Sequence, residues 1–129
     1  MKEEDSLRVL RSLLISEGAE WHEENGWLRF RSKQGPMLWE TCCMAVPNAV
    51  LIYGRFPFFC RDADRARRLC DELNGRFVRG ALFITDEGAP VYRCTAETDD
   101  IYGAEQRIAE ALRYSAQVIA HCWGRFSGI

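Results

Sequence analysis

The stretch that decides the fold runs from Leu69-Cys-Asp-Glu-Leu-Asn-Gly-Arg-Phe77 through Ala81-Leu-Phe-Ile-Thr85 and Asp86-Glu-Gly88 to Val91-Tyr-Arg-Cys94. Its first part has the apolar spacing of a helix. Asn74-Gly75 predicts the end of that helix, because glycine tolerates the left-handed conformation that closes many helices. The two apolar runs around the acidic-glycine turn predict a hairpin. The stretch therefore predicts a helix followed by two antiparallel strands.

Similar patterns extend on both sides of this stretch. The predicted helices are a first helix capped by Asp5-Ser6 and ended by Gly18, a second helix that opens at Asp62 or Asp64, and a final helix after Glu97–Asp100. The predicted strands are Trp27–Arg31, Leu38–Val46, Ala49–Phe56, Phe77–Thr85 and Val91–Thr95. We therefore expect an α+β fold in the order helix–three strands–helix–two strands–helix. Its helices pack on a five-stranded antiparallel sheet.

Length and composition limit the class of protein. The chain has 129 residues, of which 47% are hydrophobic and 28% charged, so we predict one globular domain over residues 1–129. The formal net charge of −2 lacks the basic surplus that displaces counterions from phosphates, and no nucleic-acid partner is expected. Neither a signal peptide nor an apolar run near the ~20 residues of a membrane span is present in the sequence. We expect a cytoplasmic protein without a membrane contact.

The second and third strands carry apolar residues on both of their faces. In the second strand, one side holds Cys42, Met44 and Val46, and the other holds Trp39, Thr41, Cys43 and Ala45. In the third strand, Leu51 and Tyr53 oppose Val50 and Ile52. A sheet with one face in water should show polar residues at every second position. The pattern predicts a partner surface: a second copy of the chain, a client protein, or both. The alternative is that helices cover both faces.

The order of elements resembles the type III secretion chaperone-like fold over roughly residues 3 to 125. The motifs Leu73-Asn74, Arg76-Phe77, Ala81–Ile84, Asp86-Glu-Gly88 and Val91-Tyr-Arg93 are similar to those of the bacterial YbjN family. The resemblance implies a dimerising α+β domain that binds protein segments, with a link to regulation. It brings no catalytic residues.

Six cysteines and two histidines are the candidates for a nucleophile or a metal site. The cysteines lack a Cys-x₂-Cys spacing, and no cysteine–histidine signature surrounds His22 or His121. No glycine-rich phosphate loop feeds a helix. We interpret the cysteines as small buried hydrophobic residues. We predict no catalytic residue, no cofactor and no metal ligand, and therefore not an enzyme.

The function that we expect is a protein-interaction module, chaperone-like or regulator-like, that forms a homodimer and binds an extended protein segment. Two routes are open: a strand added to a sheet edge, or apolar anchors set into a sheet groove. The candidate protein-binding residues are Trp39, Leu51, Tyr53 and Trp123. One alternative is a small-molecule sensor or enzyme with a pocket between sheet and helices. Another is an assembly domain that dimerises and binds nothing else.

Overall fold

A computed structural model describes all 129 residues of the chain. Its helices are α1 (Glu3–Ser16), α2 (Ala63–Asn74) and α3 (Ile101–Ser127). Its strands are β1 (Trp21–Glu24), β2 (Trp27–Gln34), β3 (Met37–Val46), β4 (Ala49–Arg55), β5 (Ala81–Ile84) and β6 (Pro90–Glu97). The fold is α+β with helices packed on an antiparallel sheet, which confirms the predicted class.

The strands form one antiparallel sheet in the order β1-β2-β3-β4-β6-β5. The predicted number of five strands is wrong, because β1 is a sixth strand at the edge. It pairs with β2 through a two-residue turn in which Asn25 and Gly26 both have positive φ, 54° and 82°. Asn-Gly is the residue pair that such hairpin turns favour. Because β1 carries the polar residues His22-Glu-Glu24, it lacks the apolar run by which the other strands were predicted.

A single hydrophobic cluster of 24 buried residues lies between the three helices and one face of the sheet. Leu10 of α1, Ile52 of β4 and Ile108 of α3 are all 0% exposed within it. Gly54 of β4 brings α3 close to the sheet, since a Cβ at this position would overlap the Ile119 side chain. The core therefore fixes which face of the sheet the helices cover.

Some of the predicted helix ends are confirmed by the structure, and others are wrong. Gly18 ends α1 as predicted, with a φ of 69° and its N–H donated to the Ile15 carbonyl. Asp62 caps α2 by accepting from the Arg65 N–H. The predicted cap at Asp5-Ser6 is wrong, because α1 begins at Glu3 and buried Ser6 instead hydrogen-bonds Thr98 at 2.7 Å.

Two further corrections concern the stretch around β5. Gly75 follows the last residue of α2, but with a φ of −67° it is right-handed and not left-handed. The predicted strand Phe77–Thr85 is shorter in the structure and covers Ala81–Ile84. Gly80, immediately before it, carries the positive φ of 74° that turns the chain into the sheet.

Candidate protein-binding face of the sheet

One face of the sheet carries no helix. We call it the open face, and the side chains that alternate away from the helices include Glu24, Trp27, Arg29, Arg31, Glu40, Cys42, Met44, Leu51, Tyr53, Arg55, Arg93, Thr95 and Glu97. The apolar members Trp27, Met44, Leu51 and Tyr53 are half-buried and lie outside the main hydrophobic cluster. The opposite side of the same strands, the covered face, contributes to the core.

The register of the strands brings the apolar residues of the open face together. Cys42 lies opposite Tyr53, and Met44 lies opposite Leu51, in the β3–β4 pair. The rings of Trp27 and Tyr53 meet edge to face, with centroids 5.5 Å apart and planes at 74°. These five side chains, which we call the apolar centre, form a continuous surface across three strands.

Arginines and glutamates both lie around the apolar centre: Glu24 lies opposite Trp27, and the Cys42 thiol donates to Glu40 at 3.5 Å. Arg29 lies opposite Cys42 on one side, and Arg93 lies opposite Tyr53 on the other. Arg29, Arg31 and Arg93 have no carboxylate oxygen within 4.0 Å of their side-chain nitrogens. The Arg55 guanidinium, in contrast, lies 3.9 Å from a carboxylate oxygen of Glu87. The open face thus combines an apolar centre with a rim of mixed charge, in which Arg29, Arg31 and Arg93 have no carboxylate partner.

The edges of the sheet offer little room for strand addition. At the β5 edge, the Asn74 side chain accepts from the Leu82 N–H at 2.7 Å and donates to the Leu82 carbonyl at 3.0 Å. The β1 edge is four residues long and carries His22-Glu-Glu24. Short, charged edges resist pairing with another strand. Beyond β1, Arg31–Gln34 of β2 forms a further short edge. The geometry favours binding on the face over binding along an edge.

The four predicted binding residues do not lie together. Leu51 and Tyr53 share the open face. Trp39 is 3% exposed on the covered face, because alternation along β3 points it away from Cys42 and Met44. Trp39 therefore belongs to the core and does not lie on the same face as Tyr53.

The fourth predicted residue, Trp123 of α3, packs against aromatic rings of the chain itself. Its ring centroid lies 5.8 Å from that of Phe56 and 5.4 Å from that of Phe58. The prediction left out Trp27 and Met44, which complete the apolar centre. The two-residue alternation of β3 already grouped Met44 with Cys42, but the sequence did not show which side of the strand the helices cover.

The cysteines and histidines are not arranged for nucleophilic chemistry. Five of the six cysteines are buried, and Cys42 is half-buried on the open face. Burial raises the pKa of Cys42 and of Cys94 to about 11, so both thiols are protonated at neutral pH. His22 and His121 are exposed. No group of three or more histidine, cysteine, aspartate or glutamate side chains is placed to hold a metal ion.

The space between the sheet and the helices is filled mainly by apolar side chains. Two pairs of hydroxyls form hydrogen bonds there, Ser6 with Thr98 at 2.7 Å and Ser32 with Thr41 at 2.6 Å. The Trp39 indole nitrogen and the Ser115 hydroxyl are the buried side-chain polar atoms without a partner. A small-molecule pocket at this place needs several polar groups that converge on one ligand, and this packing does not supply them.

Comparison with known proteins identifies the fold. No family model and no curated protein match the sequence. The structure is similar to the crystal structure of YbjN from E. coli, described as "a putative transcription regulator", with a TM-score of 0.65 and 15% sequence identity. The similarity covers 89% of this chain and 86% of that chain. It confirms the predicted YbjN-like fold, while the type III secretion chaperone resemblance stays a prediction. None of the helices combines the length and apolar character that a membrane span requires.

Proposed function

We propose that this chain is a non-catalytic protein-interaction module that binds an extended protein segment on the open face. The observation that carries the proposal is the apolar centre, which lies on a sheet face without a helix. Contiguous apolar surface rimmed by polar residues is typical of interaction sites. Tryptophan and tyrosine are also the residues that contribute most often to binding hot spots. Trp27 and Tyr53 are therefore the residues from which we expect the largest contribution.

The edges support the choice of an extended segment held by its side chains. Because Asn74 occupies the backbone groups of Leu82, a partner gains few main-chain hydrogen bonds at that end of the sheet. Its affinity then comes from side chains that lie across the strands. A regulator-like role, as described for YbjN, fits this module if it acts through a protein partner, since the net charge of −2 does not favour DNA.

The test is affinity capture from the host lysate with two matched variants. Tyr53→Asp places a charge in the apolar centre, and Tyr102→Asp makes the same change at a residue of α3 that is 96% exposed. We expect a stoichiometric partner with the wild-type chain and with Tyr102→Asp, and its loss with Tyr53→Asp. Circular dichroism checks that all three chains are folded. An identical set of captured proteins for Tyr53→Asp and the wild type would contradict the proposal.

Homodimerisation is a second part of the proposal, and it rests on the apolar character of the open face. Sedimentation equilibrium of the purified chain measures it directly. A dimer that Tyr53→Asp dissociates places the second copy on the open face, in competition with the client. A dimer that Tyr53→Asp leaves intact places the interface elsewhere and leaves the open face free.

A further inference from the structure

We infer that the segment bound on the open face carries two acidic side chains, four residues apart, with an apolar side chain midway between them. This inference rests on the proposed function and specifies the chemistry of its partner. Its basis is one row of the sheet in which Arg29, Cys42, Tyr53 and Arg93 lie side by side on four adjacent strands. Each end of the row is an arginine, and the middle belongs to the apolar centre.

The arginines at both ends of the row lack a partner. Arg29 and Arg93 are exposed, and no carboxylate lies within 4.0 Å of either. A ligand that covers the apolar centre removes water from both guanidinium groups. This desolvation costs free energy unless a group of opposite charge takes the place of the water. Carboxylates match the guanidinium in charge and in geometry, through two parallel hydrogen bonds. The partner is therefore expected to supply carboxylates at both ends.

The space beside Arg93 is suited to such a group. A groove of about 510 Å³ lies there, with Leu51, Tyr53 and Ala81 among its lining residues. Arg79 also lines the groove, but its guanidinium already lies 5.6 Å from the centre of the Tyr114 ring. Arg93 is thus the cation of this groove that has no partner of its own.

The geometry of the sheet sets the spacing of the acidic residues. Neighbouring strands are about 4.8 Å apart, so the three gaps from β2 to β6 span about 14 Å. An extended chain rises about 3.3 Å per residue and presents every second side chain to the same side. Residues i and i+4 are then about 13 Å apart and face the sheet together with residue i+2. A pattern acidic-x-apolar-x-acidic that crosses the strands therefore fits the row.

Two other occupants fit the open face less well. Single-stranded nucleic acid binds by stacking bases on exposed aromatic rings, whereas Trp27 and Tyr53 are half-buried and already in contact with each other. A second copy of the chain would bring its own Arg29, Arg31 and Arg93 to this face, so a dimer has to keep these like charges apart, whereas an acidic segment pairs with them.

The experiment measures fluorescence anisotropy with three labelled peptides of about 12 residues in a serine background. The first contains Glu-Ser-Leu-Ser-Glu, the second replaces both glutamates by lysine, and the third moves one glutamate by a single residue so that it faces away. We expect the first peptide to bind about tenfold or more tightly than the other two. The Arg29→Glu, Arg93→Glu double variant should weaken its binding about tenfold and favour the lysine peptide. Arg65→Glu, Arg68→Glu makes the same charge change at two exposed residues of α2 and should leave binding unchanged.

The other outcomes overturn the inference, and they separate it from the proposed function. Equal binding of the first and third peptides, preference for lysine, or no effect of the Arg29 and Arg93 changes would show that the charge pattern is wrong. Absence of binding by all three peptides also overturns it. In each case the proposed function still stands if Tyr53→Asp abolishes capture from the lysate. Tighter binding of a thymidine oligonucleotide of about 20 residues would overturn both in favour of nucleic acid.

Discussion

The two faces of the sheet are built from the same strands but differ in what covers them. Leu51 and Ile52 are adjacent in β4, and both are apolar, yet Ile52 is 0% exposed under the helices while Leu51 is half-buried on the open face. On the covered side, Ser32 pairs with Thr41 and Ser6 pairs with Thr98. On the open side, Arg29, Arg31 and Arg93 have no carboxylate oxygen within 4.0 Å. The difference indicates that stability depends mainly on the covered face, which leaves the open face available for the recognition that we propose.

The largest expected difference between the faces is in stability. Ile52→Ala leaves a cavity in the core and should lower the free energy of unfolding by about 2–5 kcal/mol. Leu51→Ala removes a side chain that no helix covers and should cost less than about 1 kcal/mol. Urea denaturation followed by circular dichroism measures both values. Equal losses of unfolding free energy in the two variants would mean that Leu51 is as much a part of the core as Ile52. The two faces would then not differ in their contribution to stability.

The strand alternation in the sequence predicted part of this comparison. It correctly grouped Leu51 with Tyr53, and it separated Trp39 from Cys42. It could not tell which group the helices cover, because both sides of β3 are apolar. Trp39 was therefore included among the candidate binding residues although it is buried in the core. Local periodicity determines which residues share a face, whereas the packing of helices far along the chain determines which face is free.

The positions of the charged residues around the open face could not be predicted from the sequence, for a different reason. Arg93 reaches the row of Tyr53 because β6, and not β5, pairs with β4 after the chain passes through α2. The prediction gave the order of the elements along the chain but not this order of strands in space. The β1 strand was missed through its polar residues, although Asn25-Gly26 was a readable turn signal.

A smaller effect is expected where the covered face meets α3. A methyl group at Gly54 would overlap Ile119, so Gly54→Ala should destabilise the fold by about 1–3 kcal/mol. Ile119→Val shortens the overlapping side chain, and the double variant should therefore be more stable than the sum of the two single changes indicates. A double-mutant cycle in urea measures this coupling. Strictly additive changes would show that α3 does not rest on the sheet at Gly54.

The β5 edge allows a test in which the expected loss of unfolding free energy is about 1–2 kcal/mol. Asn74→Ala removes both hydrogen bonds to the Leu82 backbone and should destabilise the chain by this amount, since two polar groups lose their partner. It also frees an edge strand, so we expect concentration-dependent association in light scattering. Asn74→Asp keeps an acceptor for the Leu82 N–H and serves as the intermediate control. If Asn74→Ala changes neither stability nor association, the amide does not protect the edge.

The smallest expected effect is a dependence on alkaline pH that differs between the two faces. The pKa of the Cys94 thiol is raised by burial to about 11 from an ordinary value of 9.0, so the folded chain keeps a proton that the unfolded chain releases. The stability contributed by this neutral thiol is fully present below about pH 9 and is lost as the pH rises towards 11. Cys94→Ala should therefore flatten the fall of the melting temperature over this range. The pKa of Cys42 is raised to a similar value, but the thiol is half-buried on the open face, so solvent weakens its effect and Cys42→Ala should flatten the curve less. Parallel melting curves for the wild type and Cys94→Ala would show that burial on the covered face does not control this thiol.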